Sequence, residues 1–252
     1  MASMPLPDYY TALGPFEEIF LTGRPVLTYH HVGPRPRGVR LKGLYVGERL
    51  FQKQMTELRR AGFSTPEYGS VTASGTDPGR AIYLTFDDGF VDVWKHAAPI
   101  MREHQFTGIQ FLVSGLIGKS NEWQQRQGDV VEPLMDEAQV RDWLAEGHRI
   151  GSHTISHPRL TQISPSDAKE EIAASKKALE DKFTIAIEHF CYPYGDWNEA
   201  VRELVMNAGY KSACTTDAGI NNGTGSPFLL KRFTARYPSR KLKNIFAMLF
   251  RR

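Results

Sequence analysis

The stretch that most limits what this chain can fold into is 81–90. Ala81, Ile82, Tyr83, Leu84, Thr85 and Phe86 form an apolar, β-branched and aromatic run that stops at Asp87, Asp88 and Gly89. Such a run predicts a buried strand with the two acids at its carboxyl end. In α/β folds that end gathers binding and catalytic groups. Adjacent carboxylates repel, so a cation or a proton is needed to keep them together cheaply. The same letters also suit an Asp-Asp-Gly turn closing a hairpin, and the stretch alone leaves both readings open.

The rest of the chain supplies a frame for that strand. Short apolar runs at 25–32, 81–86, 109–113, 150–153, 187–192, 210–215 and 228–230 read as strands. Between them, periodic stretches at 48–61, 91–104, 136–147, 164–183 and 198–208 read as helices. Ser164 and Pro165 open the fourth as N-cap and first-turn proline. Strands alternating with helices imply parallel β-α units, and 252 residues suffice for one large domain. About seven strands favour a partial or distorted barrel. A lead-in over 1–24 reads as irregular, a longer polar insertion with Trp123 spans 114–135, and 239–252 forms a basic amphipathic tail.

Composition closes off several functions. A net charge of +3 with no Arg/Lys stripe argues against nucleic acid. Cys191 and Cys214 are too few for a disulfide framework and read as buried thiols. The N-terminus shows no secretory pattern and no run can span a bilayer, which predicts a cytoplasmic protein, with the tail as a peripheral membrane contact. A loop over 33–43 carries Arg35, Arg37, Arg40 and Lys42 and reads as solvated.

Two further stretches bear on chemistry. His153 and His157 are four apart, a spacing that on a helical turn aims both imidazoles at one cation. Two imidazoles and one carboxylate make a facial triad with open positions for water and substrate. At 190–197, Tyr192, Pro193, Tyr194 and Gly195 form an aromatic–proline turn at a strand end, followed by Trp197. Its aromatics suit either stacking on a sugar ring or packing of a β-α turn.

Taken together, Thr85-Phe86-Asp87-Asp88-Gly89, His153-Thr154-Ile155-Ser156-His157 and Tyr192-Pro193-Tyr194-Gly195 resemble the first three motifs of the polysaccharide deacetylases, carbohydrate esterase family 4 with the NodB homology domain. The resemblance covers about 25–235, within a domain bounded at 25–238, and implies a single-domain distorted (β/α)7 barrel. It implies metal-dependent removal of acetyl groups from N-acetylated amino sugars of a polysaccharide or glycolipid precursor. By matching position, Asp87 is then the general base, and Asp88, His153 and His157 the ligands of a divalent ion, zinc foremost, with Co, Ni, Fe or Mn as alternatives. The Tyr194 backbone N–H becomes an oxyanion donor, and Tyr192, Pro193 and Trp197 contact substrate. Many members carry an acid histidine near the C-terminus, where this chain has none. Residues 26–30 resemble instead a permuted subgroup, which includes poly-N-acetylglucosamine deacetylases, with an early Tyr-His. His30 is therefore the expected acid, with His31 beside substrate as the alternate. Cys191 stands where many members place an arginine that tethers the base, which leaves the orientation of Asp87 unexplained. A small-amide hydrolase of the allantoinase-like kind and a silent glycan-binding domain are the alternatives. The intact Asp87, Asp88, His153 and His157 speak against both.

Overall fold

In the computed structural model, which describes residues 6–73, 79–125 and 128–236, the motif strand is β4, Tyr83–Phe86, and all four of its residues are buried. A strand covered on both faces belongs inside a parallel sheet. Its neighbours are β1 (Val26–Tyr29) on one side and β5 (Gly108–Leu112) on the other, followed by β6 (Arg149–Ser152), β7 (His189–Cys191) and β8 (Ser212–Cys214). A short β9 (Phe233–Thr234) pairs with the free side of β1. The order is β8-β7-β6-β5-β4-β1-β9, and every pair is parallel. The seven strands curl into the distorted barrel expected from the sequence. A small parallel pair, β2 (His31–Val32) and β3 (Tyr45–Val46), lies outside it.

Period-2 alternation sorts the strand residues onto two faces. Leu27, Tyr29, Leu84 and Phe86 point outward and pack in one cluster with Phe51, Met55 and Leu58 of helix α2 (Glu48–Arg60). Val26, Tyr83, Ile109, Phe111, Cys191 and Cys214 fill the interior with Tyr68 and Val71, which a 3-10 turn inserts. Gly151 is required by the packing: a Cβ there would lie 2.6 Å from the Phe111 ring.

The seam departs from expectation. Residues 228–230 read as a strand, yet they make only an isolated bridge between Leu230 and Cys214. Leu230 N–H donates to Ala213 O at 2.9 Å and Thr215 N–H to Leu230 O at 2.9 Å. The chain then leaves β8, and Phe233 and Thr234 pair with Leu27 and Thr28 of β1. One segment therefore touches both sides of the barrel's opening, with Arg232 between its two halves.

The lead-in is also more ordered than read. Tyr10 N–H donates to Thr234 O at 2.9 Å, extending the β9 edge. Beyond it, the turn Gly14–Phe16 and α1 (Glu17–Phe20) bury Phe16 and Phe20 against Tyr10, Phe63 and Phe233. Aromatic burial, invisible to periodicity, orders this segment. The helix expected over 91–104 begins as a π turn, Val93–Ala97, before α3 (Ala98–Glu103). Pro99 has no N–H for an ordinary i−4 bond, which accounts for the shifted register. In the insertion a short α4 (Glu122–Gln125) forms. The next helix, α5 (Glu137–Ala145), starts on an Asp136/Gln139 capping box. Then α6 (Pro165–Phe183) is capped by Ser164, as expected, and α7 (Glu199–Asn207) by Asn198. The tail 239–252 lies outside the described residues. Among those described, no helix is long and apolar enough to cross a membrane.

Two buried histidines away from the carboxyl ends of the strands make stability depend on acid. The His148 ring stacks on Trp143 at 4.0 Å and its Nδ1 accepts from Gly108 N–H at 3.2 Å. Burial, with a smaller push from Arg102, lowers its pKa to about 4. Burial likewise lowers His189 to about 4. The unfolded chain binds these protons below about pH 6.5, so the stability present above that pH is lost as pH falls towards 4. Urea unfolding should show this loss, up to about 3 kcal/mol per histidine. In His148→Gln the slope between pH 6 and 4 should be shallower; an unchanged slope would remove His148 from the account.

Candidate active site

At the end of β4 the chain turns sharply: Asp88 takes φ 77° and Gly89 φ 90°. The turn lets two consecutive carboxylates serve different partners. Asp87 faces the barrel interior and Asp88 faces the β6 loop.

Asp87 is gripped by Arg232. Nη1 donates to Oδ1 and Nη2 to Oδ2, each at 2.8 Å. The other guanidinium donors go to Thr85 Oγ1 at 3.1 Å, Cys191 Sγ at 3.2 Å and Thr215 O at 2.8 Å. All five N–H groups thus have acceptors. The bidentate fork fixes the plane of the carboxylate and leaves its remaining lone pairs open. Burial pushes the Asp87 carboxyl up, but the Arg232 charge and its hydrogen bonds, with His30 and His153, bring it below the usual range. The Cys191 thiol, pushed well up by burial, stays protonated and donates to Asp87 Oδ2 at 3.6 Å. This answers the question that Cys191 raised: the tether comes from the seam, and a small thiol leaves room for it. Leu230 already packs inside the barrel and Arg232 is two residues on, so the alternation Leu230, Arg232, Thr234 is the sequence signal for an inward arginine.

The histidine pair does converge, by a route other than the helical turn expected. Residues 153–157 form an irregular loop with Thr154 at φ 70° and His157 at φ 64°. His153 Nε2 and His157 Nε2 stand 3.3 and 3.2 Å from the same atom, Asp88 Oδ1. The His153 tautomer is set from behind, because Nδ1 lies 2.7 Å from Cys191 O, a carbonyl that can only accept. Nδ1 therefore donates to that carbonyl, and Nε2 is the ring atom turned towards Asp88. Burial, only partly offset by Asp88, lowers the His157 pKa. Asp88 Oδ1 has no hydrogen-bond partner. Two imidazole nitrogens and a buried carboxylate oxygen thus converge on one point, a donor set that a cation could bridge. Two nitrogens and one oxygen suit zinc and neighbouring divalent ions. A second group that could hold a metal, Asp87, His153 and Cys191, is already engaged by Arg232.

His30 follows β1 and stands beside Asp87, its side chain 21% exposed and its Nε2 3.9 Å from Asp87 Oδ2. His31 points elsewhere. It is buried between Tyr45 and Phe90, with Nδ1 2.8 Å from Asp92 Oδ2, so it offers substrate no face. Tyr192 and Pro193 are also buried, and the Tyr192 hydroxyl donates to Phe228 O at 3.2 Å. They shape the turn rather than forming the wall expected of them. Tyr194 is half-buried at φ 59°, its ring 4.6 Å from that of His157 and 4.2 Å from the Arg159 guanidinium. Trp197 is half-buried against the core. The residue that sequence reading passed over here is Trp123, whose indole stacks on His157 at 4.5 Å. Asp196 accepts from Thr161 N–H and Oγ1–H, each at 2.8 Å, joining the histidine loop to the Tyr194 turn.

Removing the guanidinium should strand a buried carboxylate. Arg232→Met is expected to lose about 3–5 kcal/mol of unfolding free energy, read by urea titration at pH 7. A loss under about 1 kcal/mol would mean that Asp87 is less dependent on the fork than its geometry indicates.

The polysaccharide deacetylase family model matches residues 74–213, more than half of the chain. A putative polysaccharide deacetylase of Bacillus subtilis, YxkH, is 26% identical over 212 residues, covering 82% of this chain and 70% of that protein. The poly-β-1,6-N-acetyl-D-glucosamine N-deacetylase of Staphylococcus aureus is 24% identical over 68% of this chain, which spans 61% of its length. Among solved structures, the Streptococcus pyogenes deacetylase PplD superposes with a TM-score of 0.75 at 22% identity, over 90% of this chain and 98% of its own. The paired acids and the histidine loop lie within the matched residues, and the chain belongs to the polysaccharide deacetylase family.

Proposed function

We propose that this protein is a metal-dependent hydrolase that removes acetyl groups from N-acetylated amino sugars of a glycan. The observation that carries the reading is the convergence of His153, His157 and the unpartnered Asp88 Oδ1 beside an arginine-held Asp87. Asp88, His153 and His157 would hold a divalent ion, zinc foremost. Bound there, such an ion acts as a Lewis acid, easing loss of a proton from water and drawing charge from a carbonyl oxygen.

The chain's own groups divide the remaining work. Asp87, kept ionised and oriented by Arg232, accepts the proton of the attacking water on a lone pair that the fork leaves open. His30, at the end of β1 beside Asp87, gives a proton to the departing amine nitrogen. The backbone N–H of Tyr194 donates to the acetyl oxygen as negative charge develops there. Water adds to the acyl carbon, the C–N bond breaks, and acetate and a free amino sugar leave. The names of the relatives, which include chitooligosaccharide and poly-N-acetylglucosamine deacetylases, support N-acetylglucosamine polymers as the substrate class.

Acetate release from β-1,4- and β-1,6-linked N-acetylglucosamine oligomers tests the proposal. Exhaustive chelation should abolish it and added Zn2+ should restore it. Asp87→Asn and His30→Gln should each lower kcat by about 10²–10⁴-fold. Undiminished turnover after chelation would overturn the metal reading, and hydrolysis confined to small non-sugar amides would overturn the substrate class.

A further inference from the structure

The loop between the two histidines has a backbone difficulty of its own. Thr154 and His157 both lie in the left-handed region, at φ 70° and 64°. That conformation is sparsely populated for side-chain-bearing residues and worst for a β-branched one. It persists only where the surroundings over-determine it. Most of the loop's polar groups find partners nearby. Thr154 O accepts from Ser114 N–H and Ser175 Oγ–H, each at 3.0 Å, and Ile155 O accepts from Gly115 N–H at 3.0 Å. His157 N–H donates to Thr154 Oγ1 at 3.0 Å.

Two adjacent N–H groups remain, and both go to a single side chain on α6. Ile155 N–H and Ser156 N–H donate to Glu171 Oε2 at 2.7 and 3.0 Å, and Ser156 Oγ–H donates to Glu171 Oε1 at 2.5 Å. The two carboxylate oxygens divide these three donors, Oε2 taking both N–H groups and Oε1 the hydroxyl. The helix behind Glu171 is fixed, because Ile172, Leu179 and Phe183 are in the core. Residues 155 and 156 lie between the two imidazoles, so this grip sets where His157 stands relative to His153.

We infer that Glu171 is the positioning residue of the cation site, holding the strained loop in the shape that brings both imidazoles to Asp88. The inference rests on Asp88, His153 and His157 being the ligands. Without the carboxylate, two neighbouring N–H groups lose their acceptor and the loop relaxes towards ordinary φ values. The convergence of the Nε2 atoms is then lost while the barrel stays intact.

The test is Zn2+ affinity of the metal-free chain, by competition with a chromogenic chelator, alongside thermal unfolding of the same samples. Glu171→Ala, and Glu171→Met, which keeps the side chain's bulk if alanine impairs folding, should bind Zn2+ about 10–100-fold more weakly. Glu171→Gln, which retains an oxygen for both N–H groups, should recover most of the affinity. Glu170→Ala, an exposed neighbour on the same helix, should match the wild type. Wild-type affinity in folded Glu171→Ala and Glu171→Met would overturn the positioning role alone. If the wild type takes up no Zn2+, or His157→Ala binds it as tightly, the ligand assignment itself fails and the inference falls with it.

Discussion

The ion pair between Arg232 and Asp87 is the interaction on which the arrangement at the centre of the barrel depends. Both groups are buried, and two charges taken out of water are costly unless every donor and lone pair is answered. Here the guanidinium has five acceptors, drawn from β4, β7 and the segment after β8. The barrel interior accordingly carries threonines, thiols and a tyrosine hydroxyl as well as aliphatic groups. That polar lining lets a charged carboxylate sit at the mouth of a packed core, ionised and with its plane fixed.

Around this pair the site is built from loops at the strand ends, each held by a side chain from a neighbouring element. The carbonyl of Cys191 selects the His153 tautomer. Glu171 and Ser175 of α6 hold the loop that follows β6, and Asp196 ties that loop to the turn after β7. Trp123, from the insertion, covers one face of His157. Strain at Thr154, His157, Asp88 and Tyr194 is concentrated where these loops meet, and it persists because the surrounding contacts over-determine the backbone.

Much of this was legible in the sequence because it is written locally. The β4 run ending in Asp87 and Asp88, the helix opening at Ser164 and Pro165, and the His153/His157 pair announce themselves within ten residues. What was not legible depends on distant partners. Arg232 meets Asp87 across 145 positions, and its own neighbourhood reads as the end of a weak strand. Tyr10, Phe16 and Phe20 lack periodicity and are ordered only by meeting Phe63 and Phe233. Nothing local to His31, the alternate to His30, shows that an aromatic sandwich and Asp92 turn it inward. The histidine spacing suits a helical turn, yet positive φ angles achieve the same convergence without a helix.

The seam has a temporal consequence. Both flanks of the opening are completed by residues 227–235, which hydrogen-bond to β8 with one half and to β1 with the other. During synthesis the motif strand and both histidines leave the ribosome well before Arg232. A nascent chain that has emerged only to β8 would have Asp87 without its counter-charge and β1 without an outer neighbour. Contacts of such long sequence separation form late and slowly. The barrel and the orientation of its central acid should therefore mature in one closing event, when the last strand docks against the first.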